Sequence, residues 1–147
     1  MAGTLERIWI KRVKRGPMDP ADRAKLVAGK GIVGNANRAG RRQVTLLDAE
    51  RWAEAMTEVG AGLDPAARRA NFLLRGVNLE GSKGRVIRIG EVQIRIEGET
   101  KPCERMDEAL PGLQAALRPG WRGGAYGVVL VGGAVGVGDP VIWLPGG

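Results

Sequence analysis

The sequence predicts a mainly β protein with a single domain over residues 1–147, and three features carry that prediction. Glycine supplies 24 of the 147 residues, roughly double the usual share, and tight turns between short strands use glycine heavily. Residues 92–97 alternate between apolar and polar side chains, as in a half-buried strand. A chain of this length can also bury one sizeable core, here of Val, Ile, Leu and Ala, because aromatics are scarce.

Predicted strands occur along the whole chain, and glycine or proline marks most of their ends. The strongest signal is a β-hairpin over residues 85–97, with Gly90-Glu91 as its two-residue turn. Residues 21–33 are ambiguous, with a short strand near Leu26–Val27 as one option. The other predicted strands are residues 5–14, 43–47, 71–76, 126–131 and 135–143.

Short helices are predicted between some of these strands. Residues 49–59 form an amphipathic helix between an N-cap at Asp48 and a terminator at Gly60. Residues 65–69 form a second short helix, because an Asp-Pro pair opens them. A third short helix is predicted within residues 107–118, starting near Pro111 and ended by Pro-Gly.

Composition excludes most familiar catalytic machinery. The chain has one cysteine and no histidine, which rules out an internal disulfide, a Cys/His zinc site, a Ser-His-Asp triad and a Cys-His dyad. The glycine-rich stretch 132–138 is followed by Asp139-Pro140 and not by a helix, so strand-end turns are favoured over a dinucleotide-binding loop. Any thiolate here must be activated by cations, by backbone N–H groups or by a metal.

The chain is basic, with a net charge of +7 and a pI of about 10.3. That balance favours an anionic partner. A basic β-domain that binds nucleic acid is one alternative, but such domains usually stack bases on aromatic side chains, which are rare here. No apolar stretch is long enough to span a membrane and no apolar signal core is seen, so we expect a cytoplasmic protein with no membrane partner.

Cys103 is the only thiol of the chain. A lone cysteine is most often a small buried core residue, but this one follows Pro102 on a loop predicted over residues 98–105. Lys101 and Arg105 flank it, and nearby cations favour the thiolate that acts as a nucleophile or metal ligand. Cys103 is therefore the candidate functional residue.

Several segments around Cys103 resemble, in order and spacing, those of the MOSC domain family, the molybdenum cofactor sulfurase C-terminal domain. The resemblance covers roughly residues 29–142 and is closest to short, stand-alone bacterial members. The segments that carry it are Arg69-Ala70-Asn71-Phe72, Gly76-Val77-Asn78-Leu79, Ile89-Gly90, Gly98 with Pro102-Cys103 and Met106, residues 122–127 and residues 138–141. Two positions depart from the family pattern: Gly34-Asn35-Ala36-Asn37 stands where many members have Gly-Asp-x-His, and Ala70 stands where Glu is common.

The resemblance implies a mostly antiparallel β-barrel with a few short helices. It also implies a link to the molybdenum cofactor. Some members hold this cofactor through the cysteine and reduce N-hydroxylated compounds, and others are thought to carry sulfur as a cysteine persulfide. Either role would require a redox partner or a sulfur donor protein. Because the family's Asp and His are missing here, a degenerate, non-catalytic member is a further alternative.

The resemblance assigns roles to individual residues. Cys103 is the expected catalytic residue and the molybdenum ligand. The anionic pterin cofactor would be bound by a basic and polar set, and the arginine cluster that contributes to it also fits a solvated loop before a strand. The expected cofactor-binding residues are Arg69, Asn71, Lys101, Arg38 and Arg42, with Arg41 in the same cluster.

Overall fold

The computed structural model describes residues 2–36 and 40–145. Within these ranges the chain forms eleven strands, three α-helices and two 3-10 helices. The strands are β1 (Gly3–Lys11), β2 (Met18–Ala21), β3 (Arg23–Val27), β4 (Gly31–Ile32), β5 (Val44–Asp48), β6 (Phe72–Arg75), β7 (Val86–Ile89), β8 (Val92–Glu99), β9 (Ala125–Val131), β10 (Gly133–Gly136) and β11 (Pro140–Trp143). The α-helices are α1 (Ala49–Val59), α2 (Arg105–Ala109) and α3 (Leu113–Leu117), and the 3-10 helices are Pro65–Arg68 and Pro119–Trp121.

Seven of the strands close into a barrel, in the order β11-β7-β8-β9-β5-β6-β1. The closing pair is β1 with β11, through the register Gly3 to Val141. The barrel pairs are antiparallel except for β5 with β6, which are parallel because α1 lies between them as a crossover. The predicted mainly β, barrel-like fold with short helices is therefore confirmed.

The hairpin predicted over residues 85–97 forms as β7 and β8. Ile89 pairs with Val92 across the turn, and Gly90 adopts a positive φ of 57° that a side chain would disfavour. The apolar positions of β8 are fully buried, including Ile94 and Ile96. Alternation in the sequence therefore directs one face of β8 into the barrel, as predicted.

Besides the apolar core inside the barrel, a second apolar core fills the space between the barrel and the helices. Its largest members are Trp9 from β1, Trp52 from α1 and Leu113 and Leu117 from α3. Helix α1 begins and ends where the sequence predicts. The Asp48 carboxylate accepts hydrogen bonds from the backbone N–H groups of the first helical turn, and the residue after the helix is left-handed.

The short helix predicted from near Pro111 forms as α3, but the sequence missed α2 before it. Pro111 and the following Gly112, with a φ of 87°, separate the two helices. One strand prediction was wrong. Residues 135–143 form parts of β10 and β11, separated by a turn at Gly138. The glycine-rich stretch thus belongs to a strand and its turn, as favoured above.

Strands β2, β3 and β4 lie in the segment that the sequence left ambiguous or assigned to a loop. Strand β2 contains Pro20, which cannot donate to a ladder, and it accordingly pairs on the outside of β1. Strands β3 and β4 form a separate three-stranded sheet with β10. None of the helices in residues 2–36 and 40–145 is long and apolar enough to cross a bilayer.

Candidate functional site

A cavity of about 490 Å³ lies where the ends of β1 and β8 approach the segments that precede β6 and β9. It collects side chains that are distant in sequence. Its lining residues include Lys11, Asn35, Arg42, Thr45, Arg68, Arg69, Asn71, Thr100, Cys103, Arg105, Met106 and Glu108. Five of the residues named here are basic, and Glu108 is the one acidic residue among them.

Four of the residues expected at the site line this cavity: Cys103, Arg69, Asn71 and Arg42. Cys103 is a free, exposed cysteine on the loop between β8 and α2. The guanidinium of Arg42 lies 5.0 Å from the ring centroid of Tyr126, within cation–π range.

Of the other expected residues, two do not line the cavity and one lies outside the described residues. Lys101 is exposed and is not among the residues that line the cavity. Arg41 lies 3.5 Å from the Glu97 carboxylate and does not line the cavity either. Arg38 lies outside the described residues.

Arg68 is the residue that the sequence analysis missed. It is 9% exposed, and its Nε and Nη2 atoms donate to the carbonyl oxygens of Gly123 and Thr100, each at 2.9 Å. Its Nη1 atom has only the weak acceptor Sδ of Met106, at 3.9 Å. A Cβ at Gly123 would lie 2.5 Å from the Thr100 carbonyl oxygen, so glycine is needed for this close approach.

Arg68 is a buried cation with no carboxylate partner among residues 2–36 and 40–145. Burial lowers its pKa, the thiolate of Cys103 acts in the opposite direction, and the charge of Arg42 lowers it further. Arg68 and Cys103 line the same cavity. A buried cation of this kind favours an anion beside it.

Only one of the two adjacent arginines is buried. Arg69 is left-handed, with a φ of 64°. It is exposed, while Arg68 before it is buried. Two consecutive arginines after a short helix give no periodicity that would distinguish them, and the 3-10 assignment of residues 65–68 comes only from the structure.

The hydroxyl of Thr100 is the one buried side-chain polar atom in the described ranges that has no hydrogen-bond partner. Buried polar atoms are nearly always paired, so an unpaired one at a cavity wall indicates a place for a ligand. Thr100 is also the residue whose carbonyl accepts from Arg68. Thr100 and Arg68 thus line the same cavity and are hydrogen-bonded to each other.

Asn71 has a different role from the one expected of a ligand-binding side chain. Its Oδ1 accepts from the backbone N and the hydroxyl of Thr45, both at 3.1 Å. Its Nδ2 donates to the carbonyl of Trp9 at 3.2 Å and to Oδ1 of Asn35 at 3.1 Å. With both ends of its amide engaged, Asn71 holds β1, β5 and the Asn35 loop together and shapes the cavity wall.

Asn35 stands at the position where the family pattern has an aspartate. Its Oδ1 accepts hydrogen bonds from the backbone N of Lys11, at 2.8 Å, and from Nδ2 of Asn71. The amide oxygen of Asn35 therefore accepts two hydrogen bonds that a carboxylate oxygen could also accept. The next departure from the pattern, Asn37, lies outside the described residues.

The cations around the cavity repel one another. Partial burial lowers the pKa of Lys11, and the charges of Arg69, Arg42 and Lys14 lower it further. The described residues contain no group of three or more His, Cys, Asp or Glu side chains that could hold a metal ion. A metal at this site would therefore have to bring most of its ligands with it, with Cys103 as a protein thiolate.

Comparison with solved structures agrees with this fold. The YuaD protein from Bacillus subtilis has a TM-score of 0.80 at 22% identity, with 96% of this chain and 94% of that chain covered. YiiM from Escherichia coli has a TM-score of 0.75 at 15% identity, with 100% and 71% covered. YiiM from Geobacillus stearothermophilus has a TM-score of 0.75 at 16% identity, with 97% and 75% covered. At these identities the likeness shows the fold alone.

No curated protein matches the chain. A family sequence model does match, however, and it covers most of the barrel and all of the cavity-lining segments after β3. That model describes the MOSC domain and matches residues 25–142. The chain therefore belongs to the MOSC domain family, which is associated with molybdenum-cofactor proteins.

Proposed function

We propose that this protein binds the molybdenum cofactor in the cavity, with the Cys103 thiolate as the protein ligand to the metal. One observation carries the proposal: one cavity is lined by Cys103, by the buried and ion-unpaired Arg68 and by Thr100, whose buried hydroxyl is unpaired. A thiolate, a cation and a free hydroxyl are a donor set suited to an anionic, sulfur-rich ligand.

The residues present fit such a group. Arg68 would stabilise negative charge beside Cys103, because its charge is buried and interacts with that thiolate. Lys11, Arg42 and Arg69 would hold the anionic pterin, and Asn71 would keep the wall in place. When bound, the cofactor supplies a metal centre that exchanges electrons and oxygen with a substrate. N-hydroxylated compounds are the substrate class that the family resemblance implies.

Sulfur carriage is the second candidate, and the exposure of Cys103 favours it. A persulfide must be reached by a donor protein, and Cys103 lies on an exposed loop. Its anionic outer sulfur would be stabilised by the same Arg68 charge. A degenerate, non-catalytic domain is the third candidate, and Asn35 weakens it because this residue keeps a hydrogen-bonded structural role at the position of the missing aspartate.

The ligand we propose is an anionic small molecule and not a nucleic acid or a membrane surface. The cations of the site line a concave volume of about 490 Å³, a typical size for a small-molecule pocket. A redox partner or a sulfur donor protein would meet the exposed Cys103 loop. We also propose a cytoplasmic location, since a reducing compartment keeps a single thiol free.

Metal content tests the proposal. The wild type, Cys103→Ser and the neighbouring surface variant Glu104→Gln would be produced in a host that makes the molybdenum cofactor. We expect molybdenum in the wild type and in Glu104→Gln, and none in Cys103→Ser. Equal molybdenum in all three would contradict cysteine ligation.

Absence of molybdenum from all three proteins would contradict cofactor binding. A persulfide assay on Cys103 then decides between the remaining candidates. Labelled persulfide on the wild type, absent from Cys103→Ser, would support sulfur carriage. No label on either protein would support a degenerate domain.

A further inference from the structure

A second, shallower groove of about 400 Å³ adjoins the cavity, and every residue that lines it is basic. Its lining residues are Lys11, Lys14, Arg15, Arg69 and Arg105. Three of them, Lys11, Arg69 and Arg105, also line the cavity, whereas Lys14 and Arg15 line only the groove. The cations therefore form an inner set at the border of the cavity and an outer set beyond it.

None of these five cations forms an ion pair with a carboxylate of residues 2–36 and 40–145. Arginines elsewhere on the surface do: Arg75 contacts the carboxylates of Glu6 and Glu50, at 3.0 and 3.1 Å. Neighbouring positive charges and partial burial lower the pKa of Lys11. A positive field without internal compensation is the feature expected of an anion site.

The backbone holds this set in place at a conformational cost. Arg15 and Arg69 both have left-handed φ values, 62° and 64°, which non-glycine residues rarely adopt. The guanidinium of Arg69 donates to the carbonyl of Gly16, which ties the loop after β1 to the segment before β6. Strained positions of this kind cluster at functional sites.

We propose that this groove binds a diphosphate group on a ligand whose other end lies in the cavity. The inner set of Lys11, Arg69 and Arg105 would hold the nearer phosphate, and the outer set of Lys14 and Arg15 the farther one. The inference rests on the proposed function only for the identity of the molecule that carries the diphosphate. A single phosphate would leave the outer set without an anion.

Charge matching explains why two phosphates are preferred to one. Guanidinium groups bind phosphate oxygens through paired hydrogen bonds, and ammonium groups bind them as point charges. A diphosphate carries about three negative charges near neutral pH, against about two for a terminal monophosphate. Five cations in one groove therefore suit the larger anion.

Titration calorimetry on the full chain at low salt tests this, with two matched ligand pairs. Pyrophosphate is compared with phosphate, and ADP with AMP, so that each pair differs by one phosphate. The groove variant is Lys14→Ser/Arg15→Asn, in which asparagine tolerates the left-handed backbone. The control variant is Arg23→Ser/Lys25→Ser on β3, which removes the same charge from exposed positions that line neither the groove nor the cavity.

We expect the wild type and the control variant to bind pyrophosphate and ADP about tenfold more tightly than phosphate and AMP. In the groove variant that preference should fall below about threefold. An unchanged preference in the groove variant, or no preference in the wild type, would overturn the proposal. An equal loss in the control variant would also overturn it, since net charge alone would then explain the binding.

The Cys103→Ser protein separates this inference from the proposed function. It should bind pyrophosphate as the wild type does, because Cys103 does not line the groove. Diphosphate preference in a protein that never acquires molybdenum would leave the groove assigned and the cofactor proposal contradicted. Molybdenum in a protein without diphosphate preference would support the cofactor proposal and contradict the assignment of the groove.

Discussion

The Arg68 guanidinium donates to the Thr100 carbonyl oxygen at 2.9 Å, across the base of the loop that carries Cys103. The same guanidinium donates to Gly123 and approaches the sulfur of Met106. Thr100 and Met106 lie on either side of Cys103 in the chain. One buried cation thus fixes both ends of the cysteine loop and adds a positive charge near the thiol.

Replacement of Arg68 with methionine should destabilise the protein. Two buried carbonyl oxygens would lose their donor, so we expect the free energy of unfolding to fall by roughly 2–4 kcal/mol. Urea unfolding of the variant and the wild type measures the loss.

Two further variants test this role of Arg68. Arg68→Lys keeps the charge but not the paired donors, so it should recover only part of the lost stability. Arg88→Met, at an exposed position of β7, should unfold like the wild type. An Arg68→Met protein as stable as Arg88→Met would contradict the role of Arg68 in holding the cysteine loop.

Thr100→Val removes a buried hydroxyl that has no partner. The ligand-free protein should lose no stability and should gain up to about 1 kcal/mol, because an unpaired polar atom is costly to bury. If that hydroxyl binds the ligand, the molybdenum content of the variant should fall.

Thr45→Val is the matched control. Its hydroxyl is paired with Asn71, so this change should cost about 1–2 kcal/mol. Equal losses in urea unfolding of the two variants would argue against a ligand role for Thr100.

Asn71→Ala should mainly weaken the fold. Its side chain makes four hydrogen bonds to β1, β5 and the Asn35 loop, and buried partners would be left unpaired. We expect a loss of roughly 2–4 kcal/mol in the free energy of unfolding. Asn78→Ala, at an exposed turn, should cost less than about 1 kcal/mol. Similar losses in the two variants would contradict the wall-holding role of Asn71.

Asp48 makes the free energy of unfolding depend on pH in the direction opposite to that of a carboxylate whose pKa is lowered by folding. Burial raises its pKa from 3.8 to about 6 in the folded state, with its contacts at the start of α1 acting against that rise. The folded state then binds more protons than the unfolded state between about pH 4 and pH 6, so this group lowers stability as pH rises through that window. Asp48→Asn keeps the N-cap without the charge. Its stability relative to the wild type should improve from pH 4 to pH 7, by up to about 3 kcal/mol.

Asp64 is the matched control for Asp48, because it also caps a helix but is exposed. A backbone hydrogen bond from Ala66 and the neighbouring Arg7 lower its pKa. Its contribution is present above the unfolded-state pKa and is lost only as pH falls below it, so Asp64→Asn should show no improvement relative to the wild type between pH 4 and pH 7. Urea unfolding at pH 4 and pH 7 decides the point. The same trend in both variants would refute the assignment for Asp48.

The sequence by itself determined the features whose signals are local. The hairpin of β7 and β8, both ends of α1 and the loop position of Cys103 depend on residues a few positions apart. Such signals arise from backbone geometry, caps and alternation, which neighbouring residues specify. The family resemblance added the barrel, and the structure agreed with it.

Only the tertiary structure decided how distant residues meet. Pairing of β1 with β11 closes the barrel between positions at opposite ends of the chain. The choice of Arg68 over Arg69 as the buried arginine depends on Thr100 and Gly123 as acceptors. Lys101, although adjacent to the cysteine loop, does not line the cavity, whereas Lys11 does. Long-range packing and hydrogen bonding set these positions, and the sequence around each residue carries no signal for them.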